Sequence, residues 1–528
     1  MTPTRLGIVT PVVRRIPGAG DPLSWYRAVS ADGATPHTQL LESADHTPGG
    51  TTRSLIGVRS AVHLTADRTT VTVAPTSPNG PAAIAWLAER RPDGRTDSAG
   101  IFRLAIPAGG PDPAERDRFR QPSPLDIVRE LAGQIQLAGA PARWCHLLIG
   151  TIGYDAIDYF ETLPAGPQPE AEAPRVEFWV PDRLIVVDHT RDTTTLIATT
   201  WSGPGDEYRR HDASADLAAL VELGSGLPAN LAHRRLDGGI PEAPAVDQDD
   251  PAFEAVVTEL AEHLRAGDGY QVVASRTFTL PCPEPLTAYG ILRAANPSPY
   301  LFFLNGPATV LFGASPETCL RVDGPTRRAT IVPIAGTVPR GRRPDGTIDP
   351  DLDTRYEVAL RSDPKELAEH LMLVDLARND LARISMPGTR SVTRLLDVER
   401  YSHVMHLVSE VTGVLRDGVD AIEAYAATMP MGTLVGAPKL EAASLLRRVE
   451  PGRRGYYGGA VGYLLSDGSL ETAIVIRSAV VRDGVASVRA GAGIVLDSIP
   501  AKEAAETRRK AAAVIGAIQR AAPEVANA

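Results

Sequence analysis

The 528-residue chain has only three cysteines, Cys145, Cys282 and Cys319, and this scarcity excludes several classes of protein. Their spacing is not that of a metal site, and they are too few for a disulfide framework, so we expect a reducing, cytoplasmic location. The sequence also has no run of 18 apolar residues and no N-terminal signal pattern. We therefore expect neither a membrane span nor a secreted protein.

Excess positive charge is absent as well, because the formal net charge is −10 and the isoelectric point is about 5.7. A nucleic-acid partner is therefore not expected, although a local cationic pocket remains compatible with this balance. The sequence has no G-x-S-x-G or G-x-C-x-G nucleophile elbow. We expect that the chain does not hydrolyse an amide itself, and that any ammonia it uses comes from another polypeptide.

Apolar residues make up 43% of the chain, which is sufficient for a large core. Residues 1–235 contain mainly short, β-branched, alternating segments that predict strands. Residues 203–250 are rich in Gly, Pro and charge and predict a linker. Residues 250–525 alternate strands with helices, but strand runs outnumber βαβ units. These patterns predict an α+β fold with two regions, 1–235 and 250–525.

Two predicted helices each carry carboxylates three residues apart, which places them on one helix face. Glu366 and Glu369 lie in the first helix, and Glu503 and Glu506 lie in the last. Oxygen ligands from two helices could form a Mg²⁺ site. The alternatives are ordinary helix features, since Glu366 fits a capping box and Glu506 can pair with Lys510 on the surface.

Four other positions have both a functional and a structural interpretation. The stretch "VRAGAGIVLDS" predicts a turn at Gly491-Ala492-Gly493, either an anion-binding nest or a plain tight turn. Arg477 lies in an apolar β-rich run, where it either faces inward to an anion or outward to solvent. Glu317 is either a tuned general acid or a turn residue. His406, in an apolar segment, is either catalytic or part of the core.

Ten ordered stretches between about residues 250 and 520 together resemble the chorismate-utilising enzymes, and most closely anthranilate synthase component I. The stretches are "NPSPYLFFL", "FGASPE", "PIAGTVPRGRR", "DPKELAEHLMLVDLARNDLARI", "RYSHVMHLVSEVTG", "MGTLVGAPK", "YYGGAVGY", "IVIRSAVV", "AGAGIVLDS" and "EAAETRRKA". The resemblance implies stacked antiparallel β-sheets flanked by helices. It also implies an active-site cleft in the C-terminal part.

The resemblance further implies where a cofactor and a substrate bind. Mg²⁺ would be held directly by Glu369 and Glu506, with Glu366 and Glu503 farther out or bridging through water, and would hold the ring carboxylate of chorismate. The residues implied to bind the remainder of the substrate are Thr433, Tyr457, Arg477, Gly491, Ala492, Gly493 and Lys510. Glu317 would protonate the departing C4 hydroxyl, and His406 would act in a later elimination.

Three positions bear on which reaction is catalysed. Water-using relatives have a lysine base where this chain has Gln271, and 4-aminating relatives have a lysine where it has Ala335. Both differences favour ammonia as the nucleophile at C2, supplied by a glutamine amidotransferase subunit. The implied product is anthranilate, formed through 2-amino-2-deoxyisochorismate with loss of pyruvate. The alternative is an enzyme that stops before this loss, because Val435 replaces a serine in the substrate loop.

An effector pocket is also implied by the resemblance. Its residues would be Glu42, Ser43, Asn296, Pro297, Ser298 and Tyr300, which resemble a pocket that binds tryptophan in the family. The alternative is that both stretches serve only packing. We also expect an oligomeric assembly.

Overall fold

The structure, a computed structural model, describes residues 6–43, 53–107, 118–139, 143–164, 173–227, 243–401 and 404–522. Its strands are β1 Ile8–Pro17, β2 Thr38–Glu42, β3 Arg53–Ala66, β4 Thr70–Pro75, β5 Arg95–Thr96, β6 Phe102–Ala105, β7 Gln136–Leu137, β8 Leu147–Ile152, β9 Val176–Asp188, β10 Thr193–Trp201, β11 Ala245–Val246, β12 Gln271–Pro281, β13 Tyr300–Asn305, β14 Val310–Ser315, β15 Thr318–Asp323, β16 Arg328–Ile331, β17 Ile334–Pro339, β18 Ser391–Arg400, β19 Val404–Val414, β20 Gly436–Ala437, β21 Ala460–Leu465, β22 Leu470–Ile474, β23 Ser478–Arg482 and β24 Val485–Ile494.

The α-helices are α1 Pro22–Val29, α2 Gly80–Arg90, α3 Pro124–Gly133, α4 Asp206–Gly226, α5 Asp250–Ala266, α6 Pro285–Ala295, α7 Pro350–Ser362, α8 Pro364–Ile384, α9 Ala421–Thr428, α10 Gly432–Val435, α11 Lys439–Val449 and α12 Pro500–Ala521. A 3₁₀ helix covers Tyr154–Tyr159. No helix in the described ranges is long and apolar enough to cross a membrane. All three cysteines are buried, and none forms a disulfide within the described residues.

The strands pair almost entirely in antiparallel ladders. In the N-terminal region β3 pairs with β9, β9 with β10 and β10 with β1. In the C-terminal region β12 pairs with β24, and β14 joins β13 to β23. The two regions share hydrogen-bonded edges, because β2 pairs with β13 and β8 pairs with β21.

The core shows how these ladders stack. One buried apolar cluster is built almost entirely from strands of both regions, including Leu55, Trp179, Phe302 and Val461, as expected where one sheet packs on another. A second cluster packs helices α1, α4, α6 and α12 on the outer side of the strands. A third contains residues of α2, α3, α8, α9 and α11. Helices therefore flank stacked antiparallel sheets, which confirms the predicted α+β fold.

Helix α4 corrects the prediction of a linker over residues 203–250. Its 21 residues include a narrow buried face formed by Arg209, Ala213, Leu217 and Leu220. The remaining residues are mostly polar, so the composition resembles a linker although the spacing of the buried face is helical. Residues 228–242 of the same segment lie outside the described residues.

Candidate active site

The two acidic helix faces come from α8 and α12. Helix α8 begins at its N-cap Asp363, whose carboxylate accepts hydrogen bonds from the backbone N–H groups of Lys365 and Glu366 at 2.8 and 3.3 Å. Glu366 also lies against β17, since a Cβ added at Gly336 would lie 3.0 Å from its Oε2. The local sequence therefore places Glu366 and Glu369 at the start of a helix that packs on the sheet.

The electrostatics of the four glutamates link the two helices. Burial raises the pKa of Glu369, and the neighbouring charges of Glu366 and Glu506 raise it further. Burial likewise raises the pKa values of Glu366 and Glu503. Partial burial opposes the ionisation of Glu506, but the ammonium of Lys510, 2.7 Å away, outweighs burial and lowers its pKa. The faces of α8 and α12 therefore lie close enough to repel each other.

These carboxylates fit a hard divalent cation by their chemistry, because oxygen donors with mutual repulsion gain most from an added positive charge. They are not gathered at metal-ligand distance. Within the described ranges, no group of three or more His, Cys, Asp or Glu side chains has the geometry of a metal site. The ion pair between Glu506 and Lys510, which was the predicted alternative to a metal site at Glu506, is present.

Arg477 lies between β22 and β23 in the left-handed backbone conformation, with φ of 51°. The apolar β-rich run that contains Arg477 is therefore interrupted at this residue and does not form one continuous strand. Burial lowers the pKa of its guanidinium, which Tyr457 and Glu506 partly offset. Its side chain makes no hydrogen bond or ion pair to another described residue. A partly buried guanidinium without such a partner is suited to bind a carboxylate.

Gly491, Ala492 and Gly493 lie within β24, paired with Ser275, Ala274 and Val273 of β12. The predicted turn is therefore wrong, and so is the backbone nest that depended on it. Long-range pairing with β12 continues this strand to Ile494. The ammonium of Lys510 donates to the Gly491 carbonyl at 3.1 Å, and the Tyr457 hydroxyl lies close, 2.9 Å from a Cβ added at Gly491.

Gln271 begins β12 and is buried beside the same glycines. Its Nε2 would lie only 2.6 Å from a Cβ added at Gly493. Its backbone carbonyl approaches Gly436, where an added Cβ would lie 2.0 Å away and where φ is +115°. The glycines therefore allow strands β12, β20 and β24 to approach closely around the Gln271 amide.

Glu317 occupies the short connection between β14 and β15. Burial raises the pKa of its carboxyl to about 7, although the nearby Thr433 hydroxyl and the charge of Lys510 oppose the rise. The Thr433 hydroxyl is buried and lies near the Glu317 carboxyl, but it forms no hydrogen bond of good geometry with a described residue. Glu317 is thus half protonated near neutral pH and has the protonation behaviour of a general acid.

His406 lies on β19, opposite Thr337 of β17. Its Nδ1 is 2.9 Å from the Thr337 hydroxyl, and its ring contacts that of Tyr401 edge-on. Burial lowers the pKa of His406 to about 4, and the charge of Arg477 lowers it further. Gly336 and Thr337 of the "PIAGT" stretch were not predicted as neighbours of His406, because the pairing of β17 with β19 that brings them together is not visible in the local sequence.

The stretch predicted as a substrate loop contains a helix turn, α10, that ends at Val435. The side chain of Val435 is fully buried in an apolar core cluster together with Leu434 and Ile494. Gly432 packs tightly, since an added Cβ would lie 1.8 Å from Cδ2 of Leu376. An apolar residue at position 435 therefore has a packing reason.

A separate pocket brings together part of the predicted effector site. It is lined by Glu42, Ser43 and Tyr300, and by Pro299 rather than Asn296, Pro297 or Ser298. Glu42 is buried and accepts hydrogen bonds from the Tyr289 hydroxyl and the Arg293 guanidinium. Burial raises its pKa despite Arg293. The other walls are apolar or aromatic, and Arg53 and Glu471 add charge.

The fold is that of an α+β protein, and these side chains form a candidate site for a small carboxylate-bearing molecule. Residues 103–516 match the family of chorismate binding enzymes, and the chain belongs to that family. Anthranilate synthase component 1 of Salmonella typhimurium is 45% identical over 94% of each chain. The pyocyanine-specific anthranilate synthase component 1 of Pseudomonas aeruginosa is 48% identical over 76% of this chain and 74% of its own.

A solved structure is also similar. Anthranilate synthase component I from Streptococcus pneumoniae matches with a TM-score of 0.67 and 28% identity, covering 89% of this chain and 93% of that chain. These comparisons confirm the family and the fold class predicted from the sequence.

Proposed function

We propose that this enzyme aminates chorismate at C2 with ammonia, and then eliminates pyruvate to give anthranilate. The main support is the near full-length similarity to proteins named anthranilate synthase component 1, at 45% identity over 94% of both chains. In the first step ammonia adds at C2 and the C4 hydroxyl leaves as water, which gives 2-amino-2-deoxyisochorismate. In the second step the C2 proton is removed and the bond from the ring to the enolpyruvyl oxygen breaks, so that the ring becomes aromatic. The released enolpyruvate takes up a proton and becomes pyruvate.

The anionic substrate is held by groups that have few protein partners. Arg477 would bind the pyruvyl carboxylate, because its partly buried guanidinium has no ion pair to another described residue. Tyr457, Lys510 and the Gly491–Gly493 strand border the same space. Thr433 adds a buried hydroxyl without a protein partner in the described ranges. This supports a subsite for a carboxylate and its neighbouring oxygens.

Magnesium is the proposed cofactor. Glu369 and Glu506 would bind it directly, with Glu366 and Glu503 outside them, and the ion would supply positive charge for the ring carboxylate. The raised pKa values of Glu366, Glu369 and Glu503 support this assignment, because an added cation would favour their ionised forms.

Acid catalysis is assigned to Glu317. With a pKa near 7, its carboxyl is able to donate a proton to the C4 hydroxyl as that group leaves. The neighbouring ammonium of Lys510 then stabilises the carboxylate that remains.

The elimination of pyruvate is assigned to His406. Its pKa of about 4 keeps the imidazole neutral at physiological pH and available to accept a proton. The alternative of an enzyme that stops at the amino intermediate rested on Val435. The burial of Val435 in the core gives that residue a packing role and weakens this alternative.

The nucleophile is proposed to be ammonia rather than water. The Gln271 amide lies at the β12–β24 edge of the site and is not a base that could deprotonate water. A glutamine amidotransferase subunit would supply the ammonia. We therefore propose that this chain acts in an oligomeric complex with that subunit. We propose residues 1–235 as a region that contributes to effector binding and residues 250–525 as the catalytic region.

The pocket at Glu42, Ser43 and Tyr300 is proposed as an effector site. Its carboxylates, its arginine and its aromatic walls suit a small zwitterion with an apolar side chain. Asn296, Pro297 and Ser298 would support it from the connection between α6 and β13, because the Ser298 hydroxyl bonds the Asn296 carbonyl.

The test of the function is product analysis with chorismate, Mg²⁺ and an ammonium salt. We expect anthranilate fluorescence and an equal amount of pyruvate. Consumption of chorismate without pyruvate would instead favour the enzyme that stops at the amino intermediate. No consumption in the presence of Mg²⁺ and ammonium would refute both.

A further inference from the structure

The ring of Tyr457 lies near two arginines that have no role in the proposed reaction. Cζ of Arg454 is 5.7 Å from the ring centroid, and Cζ of Arg489 is 6.0 Å from it. At these distances a guanidinium is attracted by the ring quadrupole. The Tyr457 hydroxyl meanwhile points toward Gly491, at the edge of the proposed carboxylate subsite.

Glu450 holds both arginines in place. It is 4% exposed, and its carboxylate accepts from Nε and Nη2 of Arg454 at 2.9 and 2.6 Å and from Nη2 of Arg489 at 2.8 Å. Ser275 adds its backbone N–H and its hydroxyl at 2.9 and 2.7 Å. Burial opposes ionisation of Glu450, but the two arginines outweigh it and lower its pKa. The carboxylate is therefore charged and fully bonded.

The arginines themselves are poorly suited to bind a substrate anion directly. Their remaining N–H groups already donate to protein oxygens. Arg454 donates to the carbonyls of Leu434 and Val273. Arg489 donates to the Ser275 hydroxyl and to the carbonyls of Gly452 and Arg453. What they still offer is positive charge beside the aromatic ring. That charge makes the Tyr457 hydroxyl a stronger hydrogen-bond donor. A hydrogen bond from this hydroxyl to a charged carboxylate would be stronger than one to a neutral acceptor.

The backbone that carries Tyr457 is fixed by other contacts. The Gly455 N–H donates to Asp155 at 2.8 Å, and the Tyr456 hydroxyl donates to Glu177. Both acceptors belong to the N-terminal region. Removing one arginine would therefore change the surroundings of the ring more than the path of the chain.

We infer that Glu450, Arg454 and Arg489 form a positioning unit that orients and polarises the Tyr457 hydroxyl as a donor to a substrate carboxylate. The inference rests on the proposed function, because it presupposes that chorismate binds beside Gly491. Burial raises the pKa of Tyr457, so the phenol keeps the proton that it donates. The unit then affects substrate binding, while the chemical steps stay with other residues.

The test is the effect of Arg489→Gln on the KM for chorismate. We expect KM to rise about fivefold with kcat changed less than about twofold, the size of effect typical of one cation–π contact. Arg489→Lys keeps the charge and should recover part of the loss. Arg482→Gln is the matched control and should leave KM unchanged. Arg482 lines a cavity together with Tyr457 and Arg489, but it is not one of the cations near the Tyr457 ring.

A double variant separates this role from a general loss of structure. Tyr457→Phe keeps the ring and removes the hydroxyl, so adding Arg489→Gln should raise KM no further. A full fivefold rise in the Phe background, or a wild-type KM in Arg489→Gln, would overturn the inference. If Arg489→Gln does not fold, Ser275→Ala replaces it, because it removes one bond to each of Glu450 and Arg489. Absence of chorismate turnover by the wild-type enzyme would instead refute the proposed function.

Discussion

Replacing Glu317 with Gln should make the protein more stable at alkaline pH while removing its activity. The folded state raises the pKa of this carboxyl from 4.5 to about 7, chiefly by burial. A raised carboxyl pKa means that the folded protein binds the proton more tightly than the unfolded chain. The stability linked to that proton is complete below pH 4.5 and is lost as the pH rises through about 7. At 1.36 kcal/mol per pKa unit, the loss amounts to at most about 3 kcal/mol.

The measurement is urea unfolding of the wild type and of Glu317→Gln at pH 5 and pH 8.5. The wild type should lose up to about 3 kcal/mol more than the variant between these two pH values, because the amide has no charge to bury. Glu441→Gln, on an exposed position of α11, is the control and should behave like the wild type. Parallel stability curves for the wild type and Glu317→Gln would show that burial does not raise this pKa.

The same substitution tests the catalytic role. Loss of a general acid typically lowers kcat about 100-fold or more. In the wild type, kcat should fall about tenfold per pH unit above pH 7, as the protonated fraction of Glu317 falls. A kcat that stays level from pH 6 to pH 9 would contradict the assignment of Glu317 as the acid.

Three further substitutions probe the geometry of the site. Gly436→Ala should lower the free energy of unfolding in urea by about 3 kcal/mol or more, because φ is +115° and the added Cβ would lie 2.0 Å from the Gln271 carbonyl. Gly452→Ala is the control. A Cβ added at Gly452 would have no atom within 4 Å, so this change should cost less than about 1 kcal/mol. Gly493→Ala should leave the protein folded but displace the Gln271 amide, which would be seen as a higher KM for ammonium with an unchanged KM for chorismate. Glu369→Gln should raise the Mg²⁺ concentration needed for half-maximal activity about 10-fold or more, and equal Mg²⁺ dependence of variant and wild type would argue against Glu369 as a ligand.

Local signals in the sequence predicted the elements that carry the acidic faces. Helix α8 begins at Pro364, because Asp363-Pro364 is a strong helix start, and the last helix, α12, carries Glu503 and Glu506 as the sequence predicted. The fold class and the family were also predictable. The ten ordered stretches are specific enough to identify the family without any knowledge of the structure.

Features that depend on distant contacts were not predictable from the sequence. Gly491–Gly493 have the composition of a turn but form a strand, because β12 supplies a partner more than 200 residues away in sequence. Val435 appeared to be a substrate contact because of its neighbours in sequence, whereas packing places it in the core. The pairing of Glu450 with Arg454 and Arg489 is partly local, but its position beside Tyr457 requires the fold.

The candidate site has three energetically unfavourable features, and a substrate bound together with a metal ion would offset all of them. Glu366, Glu369 and Glu503 resist ionisation beside one another, the Arg477 guanidinium has no ion pair to a described residue, and the buried Thr433 hydroxyl has no hydrogen bond to one. Each arrangement costs stability, since buried charges and buried polar groups without partners are unfavourable. In the proposed function a divalent cation would relieve the first, a substrate carboxylate would relieve the second, and a substrate oxygen would relieve the third. A dianionic substrate bound together with a metal ion supplies all three, so substrate and metal should each bind more tightly in the presence of the other.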